Sequence, residues 1–433
     1  MRKRNSASSG DRPTVMDPVR FAVVGLGGYG LVHMKAVGWL AKEGLARLVG
    51  VVALESDREQ RPDLVRDLIA QHCTLYKSVD EFIAGAAGSA DVLTVPVGIN
   101  MHVPVSIAAM RAGLDVYCEK PVAATVQEVD ALIAAKKETG RRIAIGYQHM
   151  YSRSIQELKA RVCDGRLGSV RSLSLMCGWP RSETYYGRNE WAGKMRVGKD
   201  WILDSPANNA HAHYLMNALY LCSAEKGEAD IPSELSAELY RANRIESPDT
   251  VLLRFATTGG SSVFVILTHA NGKENGPSMR LECERGRAYW QADNGVTFVR
   301  YGDGRTEEFD NLVHDNWRYE GFRDLVGAIR DRRDPLCTPE LARAQTLTVN
   351  AMHESCPEIG VVPDGCVAIA EDWEMFPQGT RGIFHRIRNL DESMNVAIQE
   401  SMFFSEMGIS WARDIKSSSV SVREYSRFPS RSS

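Results

Sequence analysis

The sequence lacks most of the features that would assign it to a specialised class of protein. Its 433 residues include nine cysteines, but these form no C-x-x-C pair and no Cys/His cluster at zinc-site spacing, so we predict neither a disulfide framework nor a metal site. Basic and acidic residues nearly balance, 52 against 55, which gives no electrostatic reason to expect nucleic acid or an anionic membrane as a partner. No apolar stretch reaches the roughly 18–20 residues that a membrane-spanning helix needs.

Both ends of the chain are polar and rich in basic residues. Residues 1–18 carry no apolar segment of the kind found in a secretory signal, and we expect them to form a flexible tail. Residues 416–433 have a similar composition, and we predict a second flexible tail there. With reduced cysteines and no export signal, the expected location is the cytoplasm.

Two folding units follow from the hydrophobic pattern. Over residues 19–147, short apolar strands alternate five times with helices, which predicts an α/β Rossmann domain with a doubly wound parallel sheet. Over residues 148–355, longer strands of alternating polarity predict an α+β domain with an open, largely antiparallel sheet. We expect residues 356–415 to be an extension that packs on this core, with an apolar segment near its end against the Rossmann domain.

A glycine-rich turn follows the first predicted strand. The run Gly25-Leu26-Gly27-Gly28-Tyr29-Gly30 matches G-x-G-x-x-G and opens a helix. Glycines at this spacing let the backbone approach a pyrophosphate, which the free N–H groups and the dipole of the helix then attract. We therefore predict that Gly25, Gly27, Gly28, Tyr29 and Gly30 bind a dinucleotide.

The choice of dinucleotide depends on the end of the second strand, where an acid would bind the adenosine ribose. Ala53 is the most natural counterpart of that acid, and Glu55 follows closely. We assign the ribose contact to Glu55, which favours NAD. Arg58 would instead suit the 2′-phosphate of NADP, which we keep as the alternative cofactor.

A charged pair, Glu119 and Lys120, ends the fourth predicted strand and precedes Pro121. The carboxyl ends of parallel strands border the crevice in which ligands bind, so Lys120 should point into it beside the nicotinamide. A lysine that is partly out of water and close to a cationic ring has a lowered pKa, which suits proton transfer. Glu119 is predicted to hold Lys120 or the adjoining backbone, and the bond before Pro121 is a candidate for the cis form.

The runs "GLGGYG" and "VPVGINMHVPVSIAAMRAGLDVYCEKPVA" and the mixed second domain resemble the Gfo/Idh/MocA oxidoreductase family. The similarity spans about residues 19–355. It implies hydride transfer between NAD(P) and a secondary hydroxyl of a sugar, cyclitol or related polyol, with Lys120 as a catalytic residue that also contacts substrate. It also implies a cofactor site that includes, besides Glu119 and Lys120, the following residues: Pro96, Asn100, His102 and Gln148.

The second domain of that family usually carries D-x-x-x-H, with the histidine as general acid or base. Here the matching segment is "DSPANNAHAHYLMN", in which we predict a helix beginning after an N-cap at Ser205. On a regular helix His211 and His213 cannot both face one site. We choose His213, with Asn209 at the position of the family's aspartate, and assign both to catalysis and substrate binding.

An aromatic and basic segment just before this helix is the predicted substrate wall, because aromatic faces and guanidinium groups suit sugar hydroxyls or a carboxylate. Its candidate residues are Arg181, Tyr186, Arg188 and Trp191. Two alternatives to net dehydrogenation stay open: glycoside cleavage or epimerisation by transient oxidation, and a non-catalytic dinucleotide-binding regulator. The resemblance further implies a homodimer or homotetramer formed through the second-domain sheet.

Overall fold

The computed structural model describes residues 17–85, 88–292, 295–311, 316–374, 379–422 and 425–430. Its N-terminal part contains a six-stranded sheet in the order β3-β2-β1-β4-β5-β6, with every pair parallel. The strands are β1 (Val19–Val24), β2 (Ala46–Val52), β3 (Thr74–Tyr76), β4 (Val92–Val95), β5 (Asp115–Cys118) and β6 (Ile143–Ile145). Central strands such as β4 are buried along their whole length because helices cover both faces.

Six helices connect these strands: α1 (Gly28–Lys42), α2 (Glu55–Gln60), α3 (Pro62–Ala70), α4 (Val79–Gly85), α5 (Ile99–Arg111) and α6 (Val126–Thr139). The Rossmann architecture that the sequence predicts is confirmed. The predicted five strands omit β3, and α2 and α3 were not expected. The second strand ends at Val52, earlier than predicted, because the chain turns into α2 from Glu55.

The second domain contains a ten-stranded sheet in the order β16-β15-β14-β13-β7-β12-β11-β10-β17, and β20 pairs with β10. Most neighbours are antiparallel, whereas β7 and β12 run parallel. This agrees with the predicted open, largely antiparallel sheet. Its strands are β7 (Val170–Gly178), β10 (Pro232–Arg241), β11 (Thr250–Thr257), β12 (Ser262–Thr268), β13 (Asn275–Cys283), β14 (Gly286–Gln291), β15 (Val296–Tyr301), β16 (Thr306–Asp310), β17 (Gly360–Val361) and β20 (Val420–Ser421). Two separate pairs of strands are β8 (Arg196–Val197) with β9 (Asp200–Trp201), and β18 (Val367–Trp373) with β19 (Arg381–Ile387).

The helices of this domain are α7 (Arg153–Cys163), α8 (Glu183–Tyr186), α9 (Ala212–Cys222), α10 (Glu320–Asp331), α11 (Pro339–Ser355) and α12 (Leu390–Glu400). Short 3₁₀ turns cover Gln148–Tyr151, Trp317–Tyr319, Asp364–Cys366 and Ser410–Ala412. Helix α10 returns to the Rossmann domain, where Phe322 stacks on Tyr117 of β5 at 3.8 Å between ring centroids. Strand β5, which leads to Glu119 and Lys120, is therefore packed against a helix, α10, that lies far from it in sequence.

The C-terminal extension packs on the outer face of the second-domain sheet. Phe403, Phe404 and Met394 form an apolar cluster there with Phe264 and Leu252. The expectation that its apolar segment lies against the Rossmann domain is wrong, because strands β10 to β12 present the uncovered apolar face that this segment buries. The predicted subunit contact through the sheet stays a prediction, and the extension already occupies part of that face.

Residues 416–422 and 425–430 pack on the rest of the protein, which corrects the prediction of a flexible tail for this part of residues 416–433. Strand β20 pairs with β10, and Phe428 packs against Trp201. Gln127 on α6 donates to the Phe428 carbonyl at 2.7 Å and accepts from its N–H at 3.0 Å. The tail is fixed because its few apolar side chains are buried. The predicted tail over residues 1–18 lies almost wholly outside the described residues. No helix within the described ranges combines the length and apolarity required to cross a membrane.

Candidate active site

Lys120 connects the two domains at the carboxyl end of β5. Its ammonium group donates to the backbone carbonyl of Asn209 at 2.8 Å and to Oδ1 of the same residue at 3.1 Å. Asn209 belongs to the second domain, 89 residues further along the chain. Two of the three residues predicted to be catalytic, Lys120 and Asn209, are therefore in direct contact, and the peptide bond between Lys120 and Pro121 is cis, as the sequence suggested.

A third residue, Asp204, completes this contact and was not predicted. Asn209 donates from Nδ2 to Oδ1 of Asp204 at 2.8 Å, and the N–H of Gly193 donates to Oδ2 at 2.6 Å. Asp204 is buried. Because Nδ2 faces a carboxylate, the amide of Asn209 must present its oxygen to Lys120. Asn209 thus joins the ammonium to a buried carboxylate, which supplies the negative charge that Asn209 itself lacks.

The surroundings of Lys120 favour a readily lost proton. Burial is the largest effect on its pKa and lowers it, while the charges of Glu119 and Asp204 raise it and that of Arg188 lowers it again. The net direction is downward. Burial likewise raises the pKa of Asp204, but Arg188, Gly193 and Asn209 oppose that shift. We conclude that Lys120 is held where it can exchange a proton with a bound group.

Helix α9 begins at Ala212, so the predicted helix start at Ser205 is wrong. Residues 205–211 form turns instead, in which the side chain of Asn208 donates to the Ile202 carbonyl and that of Asn209 to Asp204. These side-chain bonds compete with helical backbone pairing. Asn209 therefore lies in a turn and not on the helix that carries His213.

His211 and His213 have different environments. Both ring nitrogens of His211 are buried without a partner among the described residues, and its ring packs on Trp179 at 5.0 Å. In His213, only Nδ1 is buried without a partner among the described residues, so Nε2 can contact a ligand. Burial lowers the pKa of both imidazoles well below the usual value, and the charge of Lys120 lowers both further. His213 is therefore neutral near pH 7 and able to accept a proton.

The ring of His213 rests against the 3₁₀ turn that follows β6. It lies 4.3 Å from the ring of His149 and 5.9 Å from that of Tyr147, measured between centroids. Gln148 begins this turn and is half-buried. The predicted cofactor contact of Gln148 stays a prediction.

Glu119 and His102 hold the backbone of the site in place. One oxygen of Glu119 lies 3.0 Å from Nε2 of His33 on α1, and the other accepts from the N–H of Lys120 at 3.2 Å. His102 is buried, with Nδ1 2.7 Å from the Pro121 carbonyl and Nε2 3.1 Å from that of Val97. Backbone carbonyls thus lie against both ring nitrogens of His102, and its contact with the cofactor stays a prediction.

The neighbouring loop after β4 keeps the other two predicted cofactor residues at the surface of the site. Pro96 directly follows the strand and Asn100 lies in the first turn of α5, and both are half-buried. Their contact with a cofactor stays a prediction.

The glycine turn fits a dinucleotide. Gly25 and Gly28 have φ values of +95° and +49°, and open space surrounds the positions that their side chains would take. A Cβ on Gly30 would lie only 2.5 Å from the Gly25 carbonyl oxygen, so α1 packs on the turn only without one. The first turn of α1 has no acidic residue and no side-chain cap. The N–H of Gly30 donates to the Gly27 carbonyl at 2.9 Å, which leaves those of Gly28 and Tyr29 to a pyrophosphate. Tyr29 is exposed beside them.

At the end of the crevice that would bind adenosine, a guanidinium group lies where the sequence predicted a carboxylate. Glu55 is the first residue of α2 and is exposed, whereas the strand itself ends in buried Ala53. Arg58 donates from Nε to the Ala53 carbonyl at 3.0 Å, and its Nη2 is buried without a partner within the described chain. A guanidinium group therefore lies beside the ribose position, while Glu55 as the ribose ligand stays a prediction.

The predicted substrate wall separates into two layers. Arg188 and Trp191 lie at the surface of the site, with the Arg188 guanidinium 5.2 Å from the Trp191 ring. Arg181 is buried behind them, 4.7 Å from the ring of Tyr185. The hydroxyl of Tyr186 is buried as well, so Arg181 and Tyr186 support the wall rather than form its face.

Comparison with known proteins identifies the first domain. Residues 19–147 match the family described as "Oxidoreductase family, NAD-binding Rossmann fold". An inositol 2-dehydrogenase of Rhizobium meliloti is 26% identical over 157 residues, which are 36% of this chain and 44% of that protein. This chain thus spans less than half of that relative.

Two further matches extend over the second domain. A 4-carboxy-2-hydroxymuconate-6-semialdehyde dehydrogenase of Sphingobium is 21% identical over 323 residues, 73% of this chain and 92% of that protein. The WlbA dehydrogenase of Bordetella pertussis, solved with NADH and UDP-GlcNAcA, has the same fold, with a TM-score of 0.63 and 20% identity over 78% of this chain and 96% of its own. Together with the strand order and the glycine turn, these matches show that residues 19–147 are a domain of the Gfo/Idh/MocA family of oxidoreductases, and that the second domain shares the fold of the WlbA structure.

Proposed function

We propose that this protein is an NAD(P)-dependent oxidoreductase that acts between a secondary hydroxyl and the corresponding carbonyl of a sugar, cyclitol or related polyol. The observation that carries the proposal is the contact of Lys120 with Asn209, close enough to His213 for the charge of Lys120 to lower the pKa of that imidazole.

The residues of the site supply binding and proton transfer. The nicotinamide dinucleotide, when bound, supplies the hydride acceptor or donor. The glycine turn and the N-terminus of α1 would hold its pyrophosphate. Lys120 orients the substrate hydroxyl and takes its proton, because its lowered pKa brings the amine form within reach. His213, which is neutral, offers Nε2 as a second acceptor on the other side of the same hydroxyl.

The relatives support this class of reaction. One is named an inositol dehydrogenase, another acts on a carboxylated semialdehyde, and the WlbA structure contains a nucleotide sugar. Because these relatives have low identity to the chain, we propose a sugar or polyol as the class of substrate and no particular compound. No feature in the described part of the chain favours transient-oxidation chemistry or a purely regulatory role.

The test is NADH formation with a panel of polyols, using wild type, Lys120→Ala and Lys137→Ala. Lys137 is exposed on α6 and serves as the matched control. General acid–base groups contribute about 10²–10⁴-fold to rate, so Lys120→Ala should lose that much kcat and still bind the dinucleotide. Full turnover by Lys120→Ala, or no turnover of any polyol by wild type, would contradict the proposal.

A further inference from the structure

The mouth of the site has an excess of unpaired positive charge. In the ranges that the structure describes, Arg188 and Arg318 form no ion pair with a carboxylate, unlike Arg323, which pairs with Glu43, or Arg343, which pairs with Asp130. The two acids near Lys120 are already engaged, Glu119 with His33 and Asp204 with Asn209. A ligand that enters here therefore meets guanidinium groups that no carboxylate of the described residues contacts directly, although Arg188 is close enough to Asp204 to lower its pKa.

Arg188 is held in a fixed orientation despite its exposure. Its Nη1 donates to the Tyr185 carbonyl at 2.6 Å, and the guanidinium lies 3.7 Å from the centroid of the Tyr185 ring and 5.2 Å from that of Trp191. A guanidinium has five N–H donors, and only one of them has a protein acceptor here. The others are available in a planar fork whose conformational entropy is already reduced by the aromatic contacts.

This fork is close to the reacting end of the site. The charge of Arg188 acts on both Lys120 and Asp204, lowering the pKa of each. Its stacking partner Trp191 abuts the loop after β4, with Nε1 3.6 Å from the position that a Cβ on Gly98 would take. Arg188 therefore lies beside the space that a substrate bound to Lys120 would occupy.

We propose that the substrate carries a carboxylate and that Arg188 binds it. This rests on the proposed function and narrows it to sugar acids and related polyol acids. A carboxylate matches the planar fork with two parallel hydrogen bonds. A neutral sugar would leave the charge of Arg188 without a counterpart and would gain only ordinary hydrogen bonds in its place.

The test compares matched pairs that differ by one group, D-glucuronate with D-glucose and D-galacturonate with D-galactose, together with D-gluconate. Binding to the NADH complex is followed by cofactor fluorescence, and turnover by NADH formation, on the full chain. The variants are Arg188→Gln, Arg188→Lys and, as control, Arg305→Gln, an arginine that packs on Tyr301 at 4.7 Å on the distant β15–β16 hairpin.

The expected result is that wild type binds the acids at least about tenfold more tightly than their neutral partners, as a charge-assisted hydrogen bond allows. Arg188→Gln should abolish this preference, Arg188→Lys should retain part of it, and Arg305→Gln should retain all of it. Equal binding of acids and neutral sugars by wild type, or an undiminished preference in Arg188→Gln, would overturn the inference. Turnover of neutral sugars without a preference for acids would leave the proposed function standing alone. Tight binding of an acid without turnover would support the carboxylate contact of Arg188 and contradict the proposed oxidoreductase function.

Discussion

Replacing Asp204 by asparagine tests whether the buried carboxylate controls the protonation of Lys120. Hydrogen bonds of 2.8 and 3.1 Å through the amide of Asn209 link the two charges, so they lie no more than about 8 Å apart. With an effective dielectric constant of about 20, this separation corresponds to about 2 kcal/mol, or somewhat more than one pKa unit. Loss of the charge removes a stabilisation of the ammonium form, so the pKa of Lys120 falls.

The assay is the dependence of kcat/KM on pH for oxidation of a polyol substrate. If the amine form of Lys120 takes the proton, the rise of kcat/KM with pH should move to lower pH by about one unit in Asp204→Asn. Asn209→Asp, which places a charge beside the ammonium, should move it to higher pH. Asp303→Asn on the distant β15–β16 turn is the control and should leave the profile unchanged. An unshifted profile in Asp204→Asn, with dinucleotide affinity intact, would refute the reasoning.

Three further substitutions probe the cofactor crevice and the end of the chain. Gly30→Ala should weaken dinucleotide binding, measured by titration, by tenfold or more, because its Cβ would collide with a carbonyl of the turn. Its control is Gly38→Ala, at an exposed position within α1. This control should raise the free energy of unfolding, measured by thermal melts, by up to about 1 kcal/mol. Arg58→Ala should weaken binding of NADP by tenfold or more and that of NAD by less than twofold, and equal losses would remove the 2′-phosphate role. Phe428→Ala should lower the free energy of unfolding by about 3 kcal/mol, against little change for exposed Phe298→Ala, and an unaltered melting curve would show the tail to be dispensable.

Much of the first domain could be predicted because its signals are local. The strands are continuous apolar runs, and helix starts carry their own caps, such as the reciprocal Thr125 and Glu128 bonds that open α6. The glycine turn and the end of β5 follow from the same pattern, since each lies where a buried strand stops. These features depend on residues only a few positions apart.

The missed features depend on contacts between distant residues or between competing side chains. The segment after Ser205 has the composition of a helix start, yet Asn208 and Asn209 bind neighbouring polar groups and delay the helix to Ala212. Asp204 could not be chosen from the sequence, because it comes beside Lys120 through the turns of residues 205–211 and not through a regular helix. The ordered tail was missed for a related reason, since Phe428 gains its stability from surfaces that exist only after folding.

The ordered tail has a consequence for motion. It begins on the edge of the second sheet at β20 and ends between α6 of the Rossmann domain and α11, where Glu354 accepts from Ser430. This segment therefore connects the two domains on one side of the cleft between them. Separation of the two domains on this flank would therefore require these contacts to break.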